Sequence, residues 1–120
     1  MYSPTPLTPA VFHILLAIAD GERHGYGIMQ EVSAKTSGKV ILGPGTLYGT
    51  INRMLEAGLI KESGERSDPE LNDERRRYYR ITGKGRRAAV TEAERLQGLV
   101  RVARAKRLLR RPQPVFGRTL

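Results

Sequence analysis

Three short amphipathic stretches, two strand-like runs around a polar segment, and a long heptad-patterned stretch near the end predict a mainly α fold with a small β-hairpin. The chain has 120 residues, a length that suits one domain with an appended helix. Residues 1–6 hold two prolines and no periodic pattern, so they are expected to form a flexible leader.

The first helix starts at Thr8-Pro9, because threonine caps free N–H groups and proline is tolerated at the first helical position. Val11, Leu15 and Ile18 share a face that Ile14 and Leu16 widen, and Asp20-Gly21 stops the run. So broad an apolar surface implies burial on more than one side. A second helix begins near His24-Gly25-Tyr26, carries Ile28, Met29 and Val32 inward, and ends at Thr36-Ser37-Gly38. Gly25 and Gly27 cost helix stability, which suggests that another backbone or a ligand phosphate comes close.

Val40-Ile41-Leu42 reads as a short strand. Gly43-Pro44-Gly45-Thr46 breaks it and opens a third helix to about Ala57, with Leu47, Ile51, Met54 and Leu55 inward and Gly58 as its C-cap. The outward face holds Thr46, Gly49, Thr50, Asn52, Arg53 and Glu56. Leu59 to Ser63 reads as a strand, Gly64 to Glu74 as a polar loop, and Arg75 to Ile81 as the returning strand. Alternation puts Arg77, Tyr79 and Ile81 on one face and Arg76, Tyr78 and Arg80 on the other. Ile81 marks the core side, so Tyr79 is expected to pack and Tyr78 to be freer.

Thr82 caps a last helix reaching about Arg111, where Pro112 halts it. Ala89, Ala93, Leu96, Val100 and Ala103 recur at intervals of four and three, a coiled-coil-like seam for a second copy of the chain. Residues 7–82 thus form the globular domain, 83–111 a dimerisation helix, and 112–120 a flexible tail.

The formal charge is +9 and the pI about 10.5, which favours a polyanionic partner. Residues 101–120 hold seven basic side chains and no acidic one. There is no cysteine, hence no disulfide and no thiolate metal site. His13 and His24 are the only histidines, and no ligand spacing joins them. Gly43-Pro44-Gly45 lacks the Gly-Lys-Ser/Thr ending of a nucleotide loop, and no nucleophile stands beside a base. Neither an enzyme nor a cofactor is expected. The longest apolar run, Ile14 to Ala19, is far too short to span a membrane. No basic segment precedes an apolar stretch at the N-terminus, so a soluble cytoplasmic protein is expected.

The order of elements is that of a winged helix-turn-helix, whose third helix enters the DNA major groove while the hairpin reaches the flanking backbone. The N-terminus of the third helix suits a phosphate. Thr46, Tyr48, Gly49, Asn52 and Arg53 are the expected contacts on that helix: Gly49 permits close approach, asparagine pairs with adenine, and arginine pairs with guanine or phosphate. Arg75, Arg76, Arg77 and Tyr78 are expected from the wing, where cations hold the duplex without reading it.

The sequence resembles the PadR family of transcriptional regulators in four ordered blocks. These are His24-Gly25-Tyr26-Gly27-Ile28, Gly45-Thr46-Leu47-Tyr48, Arg53 to Ile60, and Arg77-Tyr78-Tyr79-Arg80-Ile81-Thr82-Gly83-Lys84-Gly85. They fall within about residues 7–110. The resemblance implies a homodimer that represses transcription at a palindromic operator and is released by a small hydrophobic compound or another signal. It implies dimerisation through the last helix with help from the first, which adds Val11 and Leu15 to the expected interface. It sets Tyr26 and Tyr48 near the DNA backbone and Thr46 and Arg53 on the recognition helix. Tyr79 matches the tyrosine that ends the wing. An effector cavity is expected near Leu15, Leu96 and Val100. Relatives that stack planar drugs between subunits use a tryptophan, which this chain lacks. The other reading of the residues is a winged-helix adaptor that binds protein rather than specific DNA.

Overall fold

The computed structural model describes residues 6–68, 70 and 72–110. Residues 1–5 of the leader expected at 1–6, and all of the tail expected at 112–120, lie outside them. The elements are α1 (Pro9–Ala17), β1 (Arg23–His24), α2 (Gly25–Lys35), α3 (Pro44–Glu56), β2 (Ile60–Asp68), β3 (Asn72–Ile81) and α4 (Gly83–Ala105). The strands form an antiparallel sheet in the order β1-β3-β2. A mainly α winged-helix fold with a small hairpin is therefore what the sequence builds.

Local chemistry accounts for the helix starts. Thr8 accepts the Val11 N–H ahead of Pro9. His24 caps α2 by accepting the Gly27 N–H. Pro44 stands in the first turn of α3. Thr82 caps α4 through the Gly85 N–H. The core gathers Ile14 and Leu15 of α1 and Ile18 at its C-cap, Ile28 and Val32 of α2, Leu47, Ile51 and Met54 of α3, Ile60 of β2 and Tyr79 of β3. Tyr79 is buried, as alternation from Ile81 requires. Burial also pushes its phenol above the ordinary value.

Four expectations need correction. Val40-Ile41-Leu42 is not a strand: Leu42 sinks into the core while Ile41 stays in solvent, and the sheet position beside β3 belongs to β1. Most of the expected loop 64–74 is strand, since β2 runs to Asp68 and β3 starts at Asn72. Its polarity reflects a ribbon solvated on both faces, held by cross-strand partners such as Arg75 and Glu65. Helix α4 ends at Ala105, short of Arg111. Arg107 turns left-handed there, with φ 63°, and Leu108 N–H closes back on Ala103 C=O at 2.8 Å, a termination that glycine usually signals. Leu15 is 0 % exposed inside its own subunit. It therefore has no surface to offer a second copy, nor to a cavity between subunits.

The first half of α4 packs on the domain through Gly85, Ala88 and Glu92. A β-carbon at Gly85 would overlap the Leu59 carbonyl, so the helix seats directly on that backbone. One residue, Thr82, separates wing from helix. Its N–H donates to Leu59 C=O at 3.1 Å and its hydroxyl to Gly58 C=O at 2.6 Å. Glu92 accepts the Leu7 N–H and pairs with Arg95. Past Leu96 the helix leaves the domain with Leu99, Val100 and Val102 exposed. On the expected seam Ala89, Leu96 and Ala103 are half-buried, and Ala93 and Val100 exposed.

Candidate nucleic-acid interface

Helices α2 and α3 meet where glycine faces tyrosine. The Tyr48 ring lies against Gly25, close enough that a β-carbon there would collide with the phenol. The close approach expected at Gly25 is thus a neighbouring side chain. The contact seats the start of α2 beside the outward face of α3 and leaves Tyr48 44 % exposed.

Beside this joint lies a polar concavity of about 400 Å³. It is lined by His24 and Gly25 at the start of α2, Tyr48 and Asn52 of α3, and Arg75, Arg76, Arg77 and Tyr79 of β3. Five of the expected contacts, Tyr48, Asn52 and the three arginines, therefore share one wall-to-wall site. His24 and Gly25 were not expected there. The His24-Gly25 pair signals a helix start, and its place in the site depends on β1 pairing with β3, with Arg23 opposite Tyr79 and His24 opposite Tyr78.

Tyr26 is half exposed on α2, with the Arg76 guanidinium 5.8 Å from its ring centre. Arg76 and Tyr26 form one patch at the edge of the concavity, a cation–π arrangement that keeps the cation near the surface. Thr46 is exposed in the first turn of α3. Gly49 is half-buried, and a β-carbon there would meet only Arg53 Nη1, at 3.7 Å. Nothing within the subunit demands a glycine at that position.

Arg53 and Tyr78 stand apart from the concavity. Arg53 donates to the Thr50 hydroxyl at 3.2 Å and borders an apolar cavity of about 410 Å³ that includes Leu7, Val11, Met54, Leu59 and Ala88. Tyr78 is covered by the Arg66 guanidinium, 3.6 Å from its ring centre, and meets the His24 ring edge-on at 5.2 Å. It is half-buried and braces the wing rather than facing the arginine-lined wall.

Carboxylates hold the wing from behind. Glu22 accepts from the Ser63 hydroxyl and pairs with Arg66, and these bonds hold its carboxyl below the ordinary value. Asp68 is held low in the same way, first by His24 and then by the Glu70 amide. Among the described residues, no group of three His, Cys, Asp or Glu side chains could hold a metal ion, and no helix is long and apolar enough to cross a membrane.

Comparison with known proteins identifies the family. The family profile described as "Transcriptional regulator PadR-like family" matches residues 14–91. The chain is 38 % identical over 90 residues to the transcriptional regulator Rv3488 of Mycobacterium tuberculosis, covering 74 % of this chain and 77 % of that one. A PadR family transcription regulator from Clostridium difficile R20291 superposes with a TM-score of 0.67 at 21 % identity, covering 82 % and 97 %. Bacillus subtilis PadR, solved in complex with operator DNA, superposes with a TM-score of 0.59 at 15 % identity, covering 91 % of this chain and 52 % of that one.

Proposed function

Because the chain belongs to the PadR-like family of transcriptional regulators, a DNA-binding family, we propose that it is a dimeric repressor that reads a palindromic operator and lets go on a signal. The observation that carries this reading is the concavity between α3 and the wing, where Tyr48 and Asn52 stand opposite Arg75, Arg76 and Arg77. A hydrogen-bonding helix face beside a row of cations suits a duplex, with bases read from the helix and phosphates held by the strand. Gly49 on the same helix leaves room for a close surface. A neighbour of the same fold, Bacillus subtilis PadR, was solved in complex with operator DNA, which supports duplex DNA as the partner.

Dimerisation is assigned to α4. Its exposed Leu99, Val100 and Val102 extend the seam of Leu96 and Ala103 beyond the domain, and a second copy offers an equal surface to cover them. Residues 7–82 act as the DNA-binding domain and α4 (Gly83–Ala105) as the dimerisation segment. The release signal is a small hydrophobic molecule, for which two apolar cavities of about 410 Å³ offer room, one beside His13 and Leu16 and one beside Arg53 and Lys84.

The test is a titration of a labelled duplex from the region upstream of the chain's own gene, at two salt concentrations and with shuffled DNA as competitor. Tight binding that resists the competitor supports the regulator. Binding that the competitor removes at every concentration counts against sequence-specific recognition and favours a winged-helix adaptor.

A further inference from the structure

His24 is only 5 % exposed, and both of its ring nitrogens are engaged. Nδ1 accepts the Gly27 N–H at 2.9 Å. A backbone amide can only donate, so the neutral ring carries its proton on Nε2. Nε2 lies 2.8 Å from Asp68 Oδ2 and donates to it. Asp68 is the last residue of β2, far along the wing, and its other oxygen accepts the Glu70 N–H at 3.0 Å.

A long two-stranded ribbon is marginal by itself in water and pivots easily about its base. Residues 22–24 hold this one at three heights. At the base, β1 pairs with β3. At mid-height, Glu22 holds Arg66, whose guanidinium covers Tyr78. Farthest out, His24 holds Asp68. The same imidazole caps α2, so the outer part of the wing is tied to the start of a helix that packs on α3 through Gly25 and Tyr48.

Resting on the DNA-binding reading above, we propose that His24 is a positioning residue that holds Asp68 and thereby sets the wing, with Arg75, Arg76 and Arg77, at a fixed angle to α3. Its contribution to binding runs through Asp68 rather than through its own contact with the duplex.

Two variants separate this role from simple helix capping. Asn at position 24 is a good N-cap, but its shorter side chain does not span from Gly27 to Asp68. Asp68→Ala removes the acceptor, and Asp68→Asn keeps an oxygen for the Nε2 proton. Hydrogen exchange of the full chain without DNA is the first readout. His24→Asn and Asp68→Ala are expected to speed exchange of wing amides in 64–68 and 72–78 about tenfold, a loss of local protection, while α3 and α4 amides keep their rates. With the labelled upstream duplex, each variant is expected to bind about three- to tenfold more weakly and to flatten the salt slope by about one phosphate contact. The double variant is expected to be no worse than either single one. Asp68→Asn is expected to stay near the parent.

Parent-like wing exchange in both His24→Asn and Asp68→Ala overturns the proposal. So do losses that add in the double variant, or a loosened wing with unchanged DNA affinity. A parent chain that does not bind the duplex removes the DNA-binding reading, and the exchange rates still decide whether His24 holds the wing.

Discussion

The hydroxyl of Tyr48 occupies the space that a β-carbon on residue 25 would need, so the first turn of α2 and the exposed face of α3 fit together only as glycine against ring. Gly25→Ala is expected to cost about 1–3 kcal/mol through overpacking, read as a lower denaturant midpoint. Adding Tyr48→Ala should return much of that stability, because the collision disappears. A Gly25→Ala variant as stable as the parent contradicts the contact.

Gly49 is the opposite case. Its place in α3 would accept a methyl group without strain, and glycine inside a helix costs up to about 1 kcal/mol relative to alanine. Gly49→Ala is therefore expected to raise the thermal midpoint while weakening duplex binding about tenfold, the loss expected of a methyl group forced into a close interface. Stability and affinity moving in the same direction would take this face of α3 out of the groove.

The wing and the helix should lose different things. Arg77→Ala is expected to weaken binding to all duplexes alike and to reduce the salt slope by about one. Asn52→Ala is expected to relax preference at one base position by about 1–3 kcal/mol with little change in slope. Arg53→Ala belongs with Asn52 if Arg53 leaves Thr50 to reach a base, and a change confined to thermal stability would keep it as a packing residue. Titrations against operator and shuffled duplex at several salt concentrations separate these outcomes.

Acid should loosen both the wing and the contact between Leu7 and Glu92. Glu22, Asp68 and Glu92 are held below their ordinary values by the partners that bind their charged forms. A carboxylate whose folded value is depressed stabilises the fold above its unfolded value, and that gain disappears as pH falls through the folded one. Stability is thus expected to be level near neutrality and to drop below the ordinary carboxylate range. Glu92→Gln, which keeps an oxygen for the Leu7 N–H but cannot ionise, should make the drop shallower. Denaturant midpoints from neutral to acid pH read the effect.

Leu96→Asp and Val100→Asp each put an unpaired charge on the seam of α4, which an apolar interface does not tolerate. Both are expected to yield monomers in sedimentation and to lower duplex affinity, since one subunit then holds one half-site. Dimers that survive both changes would move the interface elsewhere.

What the residues announced and what they hid follow one physical divide. Caps and periodic apolar positions act over a single turn, so Thr8, Thr82 and the Leu47–Ile51 stripe were readable directly, as was the burial of Tyr79. Features made by partners distant in the chain were not. The pairing of Arg23 with Tyr79 makes β1 out of two charged or polar residues with no strand signal. Arg66 and Asp68 look like loop residues until Glu22 and His24 are beside them. Apolar content misled in the other direction at Val40 to Leu42, where Val40 and Leu42 pack without strand pairing and Ile41 stays exposed. On the candidate site, the basic run Arg75 to Arg77 and, on α3, Tyr48 and Asn52 were legible from charge and helical spacing, whereas Tyr78 stands apart from the concavity because its ring is covered by Arg66 and meets His24 edge-on.

The single residue between wing and final helix has a mechanical consequence. Thr82 is bonded to Gly58, Leu59 and Gly85, so the joint has no torsional slack. In a dimer built on α4, each reading head is then rigidly fixed to the shaft that joins it to the other. Such an assembly measures distance along the duplex as strictly as it reads sequence: adding or removing base pairs between half-sites would rotate one head off its groove, and no linker would absorb the error.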